Sequence, residues 1–370
     1  MDELCARPPR AVVIVKLSAL GDVCHTLPVV RTLQRAWPDA HFSWVIGRAE
    51  AKLLGGIPDI EFIEFDKRAG IAGYRAVGRA LGRRPIDLLL HMQFAWRASL
   101  VTALVSAPVK LGYDRERALD LQWLFTTHRI EPAAREHVMD ALFGFARRLG
   151  VKQRDYRWDI PIPEGARRYA EQLIPEGVPA LIISPCSSHV QRNWHAAGYA
   201  TVGDRAAALG VQVVICGGPT PLEQRMGAEI AARMRAPCSN VVGRDTLPEF
   251  YATLARARVL VTPDSGPAHM ATSLGVPVVG LYAATNPARS GPYFSRELCV
   301  DRFDEAARRF LGRPAAELPW RTKIERPGVM DLIQPADVIG QLEAALERPP
   351  EFSPGAPRAR AAPPAGPPAR

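Results

Sequence analysis

Short apolar runs alternate with longer amphipathic stretches along the first half of the chain. The run Ala11–Val15 is β-branched and short, as in a buried parallel strand, and a polar turn over 16–21 leads into a helix predicted from Asp22 to about Trp37. Further strands are predicted over residues 41–46, 60–65 and 86–91. This alternation implies right-handed βαβ units and a doubly wound sheet.

The second half of the chain repeats this pattern. Strands are predicted at 180–184, 211–216, 259–262 and 276–281, and helices near 196–209, 221–235, 247–256 and from about 266. We therefore predict an α/β fold with two Rossmann-like domains, 1–165 and 166–334, and a cleft between them as the default ligand site. Residues 335–348 are predicted to form a last amphipathic helix. Residues 349–370 are predicted to be a disordered tail, because eight of these 22 residues are proline.

Composition places the chain among globular proteins. Its 370 residues, 47% of them hydrophobic and 23% charged, are enough for two domains. No stretch approaches the roughly 18 consecutive apolar residues of a membrane span, and no secretory signal is recognisable, so a cytosolic location is expected. The six cysteines are scattered without a Cys-x-x-Cys pair, so reduced thiols are expected and a zinc site is not.

The first turn that could carry chemistry follows the first predicted strand. It reads Lys-Leu-Ser-Ala-Leu-Gly-Asp over 16–22 and lacks both the three glycines of a dinucleotide site and the Gly-Lys-Ser/Thr of a P-loop. Gly21 allows a sharp turn, and Asp22 then stands at a strand end where open α/β sheets bind ligands. Two interpretations stay open for Asp22, a helix N-cap and a carboxylate that acts on a ligand.

Three further turns lie at predicted strand ends in the second half. One contains Asp264, Ser265, Gly266 and His269 at a helix start, which suits a phosphate group but also an ordinary capped turn. Another contains the hydroxyls of Ser187 and Ser188 and the cation Arg192, tools for holding a diphosphate. The last places Glu223 in the first turn of a helix, where it caps the helix or binds a ribose hydroxyl. No Asp-x-Asp pair occurs, so neither a metal nor another cofactor is expected.

Together these turns resemble the ADP-heptose lipopolysaccharide heptosyltransferases of glycosyltransferase family 9. The segment 16–28 resembles the amino-terminal motif of that family, nearer to its heptosyltransferase I branch. Residues 264–269 resemble its donor-site motif and 329–333 its usual ending, so the resemblance runs from about 11 to 347. It implies a GT-B fold with an acceptor domain, then a donor domain, and a last helix that packs back on the first domain.

The resemblance also implies roles for particular residues. It makes Asp22 the base that deprotonates the acceptor hydroxyl in an inverting, metal-independent transfer of heptose from ADP-heptose to the inner core of lipopolysaccharide, the Kdo-lipid A region. The residues matching donor-binding positions are Ser187, Ser188, Arg192, Glu223, Asp264, Ser265, Gly266 and His269. Those matching acceptor-side positions are Ser18, Gly21, His25, Gln93 and Arg97.

Alternative functions stay open at this point. One is a member of the same family that uses another nucleotide sugar or another acceptor. A second is a sugar-nucleotide 2-epimerase, which shares the GT-B fold and an Asp-Ser-Gly turn but does not need Asp22 in its Gly-Asp-x-x-His-Thr-Leu-Pro context. A third is a sugar-nucleotide-binding protein without activity, which the presence of Asp22 disfavours.

The net charge of +9 is concentrated in the first half of the chain. Residues 71–110 alone carry +5, from five arginines and Lys110 against one aspartate. No nucleic-acid-binding module accompanies this charge, so no nucleic-acid partner is expected. A basic acceptor domain instead suits an anionic membrane surface, and peripheral association with the inner face of the bacterial inner membrane is the hypothesis; the alternative is a solubilising face.

Overall fold

The computed structural model describes Leu4 and residues 7–348, which form two units, the first ending at Pro161 and the second beginning at Ile162. The tail predicted over 349–370 lies outside the described residues. None of the helices in the described part combines the length and hydropathy that a membrane span requires.

The first unit contains a six-stranded sheet flanked by helices. Its strands are β1 (Ala11–Val15), β2 (His41–Gly47), β3 (Glu61–Phe65), β4 (Leu88–His91), β5 (Val109–Gly112) and β6 (His128–Arg129). Its helices are α1 (Leu20–Ala36), α2 (Arg48–Leu54), α3 (Ile71–Leu81), α4 (Trp96–Leu104) and α5 (Val138–Arg148). The strands are ordered β3-β2-β1-β4-β5-β6 and every neighbouring pair is parallel.

The second unit repeats this plan. Its strands are β7 (Ala180–Ile183), β8 (Gln212–Ile215), β9 (Ser239–Asn240), β10 (Val259–Pro263), β11 (Val278–Tyr282) and β12 (Val300–Asp301). Its helices are α6 (Glu164–Leu173), α7 (Ala196–Ala208), α8 (Pro221–Arg233), α9 (Leu247–Ala255), α10 (Gly266–Leu274), α11 (Pro287–Ser290), α12 (Phe303–Leu311) and α13 (Pro335–Glu347). The parallel sheet is ordered β12-β11-β10-β7-β8-β9.

Both sheets have the Rossmann strand order, so the predicted doubly wound α/β fold is confirmed. In each unit the first and fourth strands are neighbours, and the chain winds outward in opposite directions from that pair. Ligands of open α/β sheets bind beyond the carboxyl ends of such a pair, where the loops diverge. The fold therefore offers one candidate site at the ends of β1 and β4 and another at the ends of β7 and β10.

The prediction missed four short strands. The strands β6, β9 and β12 have two residues each, too few for a periodic pattern to be recognised, and β5 lacks a continuous apolar run because it contains Lys110 and Gly112. The long β-branched runs were found because their side chains are buried on both faces; β1, for example, is at most 1% exposed from Val12 to Val15.

The last helix differs from its expected packing. Val338, Leu342 and Ala345 of α13 are fully buried in the core cluster of the second unit, where α13 contacts α7, β10 and β11. The resemblance had implied that this helix packs on the first domain. The spacing of its apolar residues predicts a buried face, but which surface covers that face depends on tertiary structure.

Glu61 ties the amino-terminal ends of β2 and β3 to the segment after α3. Its carboxylate accepts hydrogen bonds from both terminal nitrogens of Arg84 (2.7 and 2.8 Å) and from Ser43 Oγ (2.6 Å). The hydrogen bonds from Arg84, above all, lower the pKa of Glu61 from 4.5 to about 2. A lowered carboxyl pKa stabilises the fold above the pKa of the unfolded chain, and this contribution is lost as pH falls through the folded value.

We expect Glu61→Gln to lower the free energy of unfolding by about 1–2 kcal/mol at neutral pH, because Arg84 loses a charged acceptor at the protein surface. The difference from the wild type should shrink as pH falls from 4.5 toward 2. Urea unfolding at a series of pH values measures it. Glu64→Gln on the same strand is the control, since Glu64 is more exposed and lies 3.6 Å from Arg48. Equal effects of both substitutions at every pH would contradict this prediction.

Candidate functional site

The turn after β1 is held to the end of β4 by one amide side chain. Gln93 Oε1 accepts hydrogen bonds from the backbone N–H groups of Leu17 (2.9 Å) and Ser18 (3.1 Å), and its Nε2 donates to Ser18 Oγ (3.2 Å). The structure thus brings together Ser18 and Gln93, two residues predicted on the acceptor side. Gln93 holds the turn that leads to Asp22 from one side, and Trp44 and Gly47 hold it from the other by donating to the carbonyls of Lys16 and Leu17.

Asp22 does not act as the cap of α1. The N-cap position is Ala19, which makes no side-chain capping bond, and Asp22 lies in the first turn of the helix. Its Oδ2 accepts a hydrogen bond of 2.8 Å from Lys16 Nζ. The Lys16 side chain is 5% exposed whereas that of Asp22 is 48% exposed, so a buried cation fixes a carboxylate that solvent and ligands can reach. Of the two interpretations of Asp22, this geometry favours the carboxylate that acts on a ligand.

A pocket of about 520 Å³ opens beside this turn within the first unit. Ser18, Gln93 and Arg97 line it, and Arg97 is exposed in the first turn of α4. The other cations of the lining are Arg48, Lys52, Lys67 and Arg68, against the carboxylates Glu50 and Asp66. Burial raises the pKa of Glu50. The pocket thus carries an excess of positive charge and suits an anionic ligand.

Two predicted residues of α1 are buried. Gly21 follows the first residue of the helix, and His25 is 2% exposed with its ring edge-on to that of His137, 5.6 Å between centroids. His25 therefore packs inside the first unit and has little surface with which to contact a ligand directly. The structure places both residues behind the turn, where they support the position of Asp22.

In the second unit the loops after β7 and β10 are joined by hydroxyl groups. Thr262 Oγ1 donates to the carbonyl of Ser184 (2.8 Å) and lies 2.8 Å from Ser265 Oγ. Ser265 is the N-cap residue of α10 but makes no side-chain capping bond. In the described structure, therefore, no cap side chain satisfies the first N–H groups of α10, which begins at Gly266. Such a helix start suits an anion.

Arg192 and Asp264 converge at this helix start. Arg192 Nη1 lies 4.0 Å from Asp264 Oδ2, and Ser290 Oγ donates to the same carboxylate oxygen at 3.2 Å. The side chains of Arg192 and Asp264 are 14% and 13% exposed, so the pair is largely buried. His269, also predicted, lies one turn into α10 and is 9% exposed. These residues, which are far apart in sequence, form one polar cluster at the ends of β7 and β10.

A second carboxylate, which sequence analysis did not find, orients Arg192. Glu325 Oε1 accepts hydrogen bonds from Arg192 Nε (2.8 Å) and Nη2, and Glu325 Oε2 lies 3.5 Å from His189 Nε2. Burial acts most strongly and would raise the pKa of Glu325, but the hydrogen bonds from Arg192 and the positive charges of Arg192, His189 and Lys323 together hold the pKa below its usual value. Glu325 is 133 residues from Arg192 in sequence and belongs to no recognisable motif, so no local signal identifies it.

The remaining predicted residues line neighbouring loops. Ser187 donates its hydroxyl to the carbonyl of His189 (3.0 Å), and Ser188 is exposed. Glu223 accepts hydrogen bonds from the N–H of Gly218 (2.9 Å) and the hydroxyl of Thr220 (2.6 Å) after β8. Its carboxylate therefore shapes the turn before α8, whereas the N-cap residue of that helix is Thr220. Each of its oxygens keeps a further lone pair for a ligand.

Within residues 7–348 no group of three or more His, Cys, Asp or Glu side chains is arranged to hold a metal ion. Five cysteines of this part of the chain are free thiols. Burial, with a smaller contribution from the charge of Glu223, raises the pKa of the Cys186 thiol to about 12, so it stays protonated beside the candidate site.

Comparison with known proteins identifies relatives of this chain. The profile of glycosyltransferase family 9 (heptosyltransferase) matches residues 74–321. The lipopolysaccharide core heptosyltransferase OpsX of Haemophilus influenzae is 36% identical over 92% of this chain and 98% of its own. Lipopolysaccharide heptosyltransferase 1 of Pseudomonas aeruginosa is 26% identical over 91% of this chain and 98% of its own.

Solved structures share the fold. A glycosyl transferase of family 9 from Veillonella parvula superposes with a TM-score of 0.74 at 23% identity, covering 91% of this chain and 97% of that one. E. coli heptosyltransferase WaaC, solved with ADP, superposes with a TM-score of 0.68 at 21% identity, covering 90% and 99%. At these identities the superpositions establish the fold, and the two-sheet architecture is that of the GT-B glycosyltransferases.

Proposed function

The chain belongs to glycosyltransferase family 9, the heptosyltransferase family, and we propose that it transfers heptose from ADP-heptose to the inner core of lipopolysaccharide. Family membership makes it a glycosyltransferase and so disfavours the epimerase and the inactive binding protein. The donor, the acceptor and the residue roles are parts of the proposal. The observation that carries it is the half-exposed Asp22 carboxylate, which the buried Lys16 fixes at the carboxyl ends of β1 and β4.

The second unit is proposed to hold the donor. The uncapped start of α10 at Gly266, with Ser265, His269 and Arg192 around it, supports binding of a diphosphate through N–H groups and a guanidinium rather than through a metal. Ser187 and Ser188 add hydroxyl donors. Asp264 would repel phosphate and suits the sugar hydroxyls instead. Glu223 is proposed to accept from the ribose.

The first unit is proposed to bind the acceptor. The acceptor named in the proposal carries phosphate and sugar-acid carboxylate groups. The pocket of about 520 Å³, with five Lys and Arg against two carboxylates, has the charge to bind them. Arg97 and Ser18 line this pocket, which supports their predicted acceptor-side roles. His25 and Gly21 are proposed to act by positioning the turn.

In the proposed reaction the Asp22 carboxylate takes the proton of an acceptor hydroxyl. The electron pair left on the hydroxyl oxygen forms a bond to the anomeric carbon. At the same time the bond from that carbon to ADP breaks, and ADP leaves with its electron pair. One displacement inverts the configuration. Arg192 and the start of α10 stabilise the charge that develops on the departing diphosphate. General-base assistance of this kind contributes roughly 100- to 10,000-fold to the rate.

We further propose that the protein works in the cytoplasm at the inner face of the inner membrane. The charge of residues 71–110, +5, supports attraction to anionic lipids, each basic residue near such a surface contributing about 1 kcal/mol. Arg75, Arg79 and Arg83 are exposed, so their charge is available to a surface.

A panel of nucleotide sugars tests the substrate. We expect the purified protein to be stabilised in thermal-shift measurements by ADP-heptose and by ADP, and to release ADP only when a core acceptor is added. Stronger stabilisation by a UDP or GDP sugar would replace ADP-heptose as the donor and favour the alternative within the family.

Asp22→Asn should lower kcat by at least about 100-fold with donor affinity nearly unchanged, because the base acts mainly in the transition state. Steady-state kinetics and ADP titration measure the two quantities. Asp39→Asn, an exposed carboxylate of the same unit, is the control and should leave kcat unchanged. Full turnover by the Asp22 variant would remove Asp22 from the mechanism.

Arg192→Ala should weaken ADP binding and slow transfer together, each by about 10- to 100-fold. The reason is that the same charge-assisted contact between Arg192 and the diphosphate stabilises both the bound donor and the departing ADP. Calorimetric titration with ADP and initial rates measure this. The control is Arg233→Ala on α8, whose ion pair with Glu229 is exposed. A change in acceptor affinity alone would show that the diphosphate binds elsewhere.

A further inference from the structure

Exposed apolar side chains are concentrated in one part of the first unit. Five of the ten large apolar side chains that are exposed in the described part of the chain lie at the first residue of α4 and in the segment 119–124; we call these five the apolar rim. The rim consists of Trp96, Leu119, Leu121, Trp123 and Leu124, which are 38–58% exposed. Single exposed leucines are common, but a cluster that includes two tryptophans indicates a surface that contacts a membrane or another protein.

Contacts hold the rim together. The N–H of Trp96 donates to Asp120 Oδ2 (3.2 Å), which ties the start of α4 to the loop of the leucines. The ring of Trp96 packs edge-on against Phe125, 5.4 Å between centroids. Trp123 lies under the guanidinium of Arg115 at 6.0 Å. The rim is therefore one surface with a cation at its edge.

A buried amide anchors this surface to the sheet. Gln122, which is fully buried between exposed neighbours, accepts from the N–H of Tyr113 (3.0 Å) through Oε1. Its Nε2 donates to the carbonyls of His91 (3.0 Å) and Gln93 (2.8 Å). With one side chain fixed to the ends of β4 and β5, Leu121 and Leu124 are held outward on either side of it.

The same anchor places the rim beside the catalytic turn. Gln122 binds the backbone of Gln93, and the Gln93 side chain binds Ser18 in the turn that leads to Asp22. Only two side chains therefore separate the rim from the candidate acceptor side. Both lie at the carboxyl edge of the first sheet.

The charge around the rim is mixed with a basic excess. Arg97 and Arg115 are exposed beside the rim, as are Glu116 and Asp120, and α3, which packs against α4, adds exposed Arg75 and Arg79. Tryptophans next to leucines, with arginines at the edge, match the layered chemistry of a bilayer interface. Aromatic rings lie at headgroup depth there, leucines enter the acyl boundary and guanidiniums meet anionic phosphates.

We propose that the apolar rim inserts into the surface of an anionic lipid bilayer and holds the acceptor side of the first unit against it. This inference rests on the proposed function in one respect, namely that the acceptor is a glycolipid. Beyond the attraction of basic charge to the membrane, the inference names the side chains that enter the bilayer. A charged face alone would be released by salt, whereas inserted leucines and tryptophans keep part of their affinity in salt.

Vesicles of phosphatidylethanolamine and phosphatidylglycerol test the proposal with the full chain and without donor or acceptor. The double substitution Leu121→Ser, Leu124→Ser should weaken co-sedimentation at least about tenfold, because each leucine loses its apolar contact with the acyl boundary. The matched control, Val178→Ser with Leu209→Ser, removes two exposed apolar side chains from the second unit and should bind as the wild type does.

Two further readouts keep the result independent of folding and of the reaction. Brominated lipids should quench the tryptophan emission of the wild type, and less so that of Trp123→Phe. Transfer to a soluble, lipid-free core oligosaccharide should be unchanged in the leucine variant. Failure of the wild type to transfer to that oligosaccharide would overturn the proposed function while leaving the vesicle result standing.

Other outcomes would overturn the rim proposal itself. Undiminished vesicle binding by the folded leucine variant would remove the rim from the membrane contact. If the wild type ignores vesicles but is a dimer that the leucine substitutions dissociate in analytical ultracentrifugation, the rim is covered by a second copy of the chain instead.

Discussion

The parallel pairing of every strand is the constraint on which the rest of the structure depends. Because all strands of a unit run the same way, each loop that follows a strand emerges at one edge of the sheet. The strand order then opens a crevice where the first and fourth strands lie side by side. Ser18 and Gln93 meet at the crevice of the first unit, and Arg192 and Asp264 meet at that of the second.

Charged groups at both crevices are held by oppositely charged partners and still remain accessible to a ligand. Lys16 is buried and forms an ion pair with Asp22, whose carboxylate stays half exposed. Arg192 is oriented by Glu325 through two donors and also lies near Asp264, so its charge is shared between two carboxylates. Buried charges need such partners, since desolvation without pairing costs several kcal/mol. A diphosphate that binds Arg192 therefore enters a site whose cation is already positioned.

The first unit combines two kinds of surface at one edge. A basic pocket beside Ser18 suits the anionic sugar part of a glycolipid, and the apolar rim suits the bilayer that holds its lipid part. Gln93 and Gln122 connect them, since the first amide holds the turn that leads to Asp22 and the second anchors the rim. Rigid amide anchors of this kind let the protein present both surfaces at fixed spacing.

The sequence by itself determined the α/β architecture and most residues of the candidate sites. β-branched runs such as Ala11–Val15 must be buried wherever they lie. Gly21, by contrast, was expected in a sharp turn and lies inside the first turn of α1. Tertiary structure alone decided which of these residues meet. Glu325 reaches Arg192 across 133 residues, and α13 buries its apolar face in the second unit, because periodicity predicts a buried face without naming its partner. The surroundings of Asp22 were decided in the same way, because the N-cap position falls on Ala19 and the buried Lys16 binds the Asp22 carboxylate.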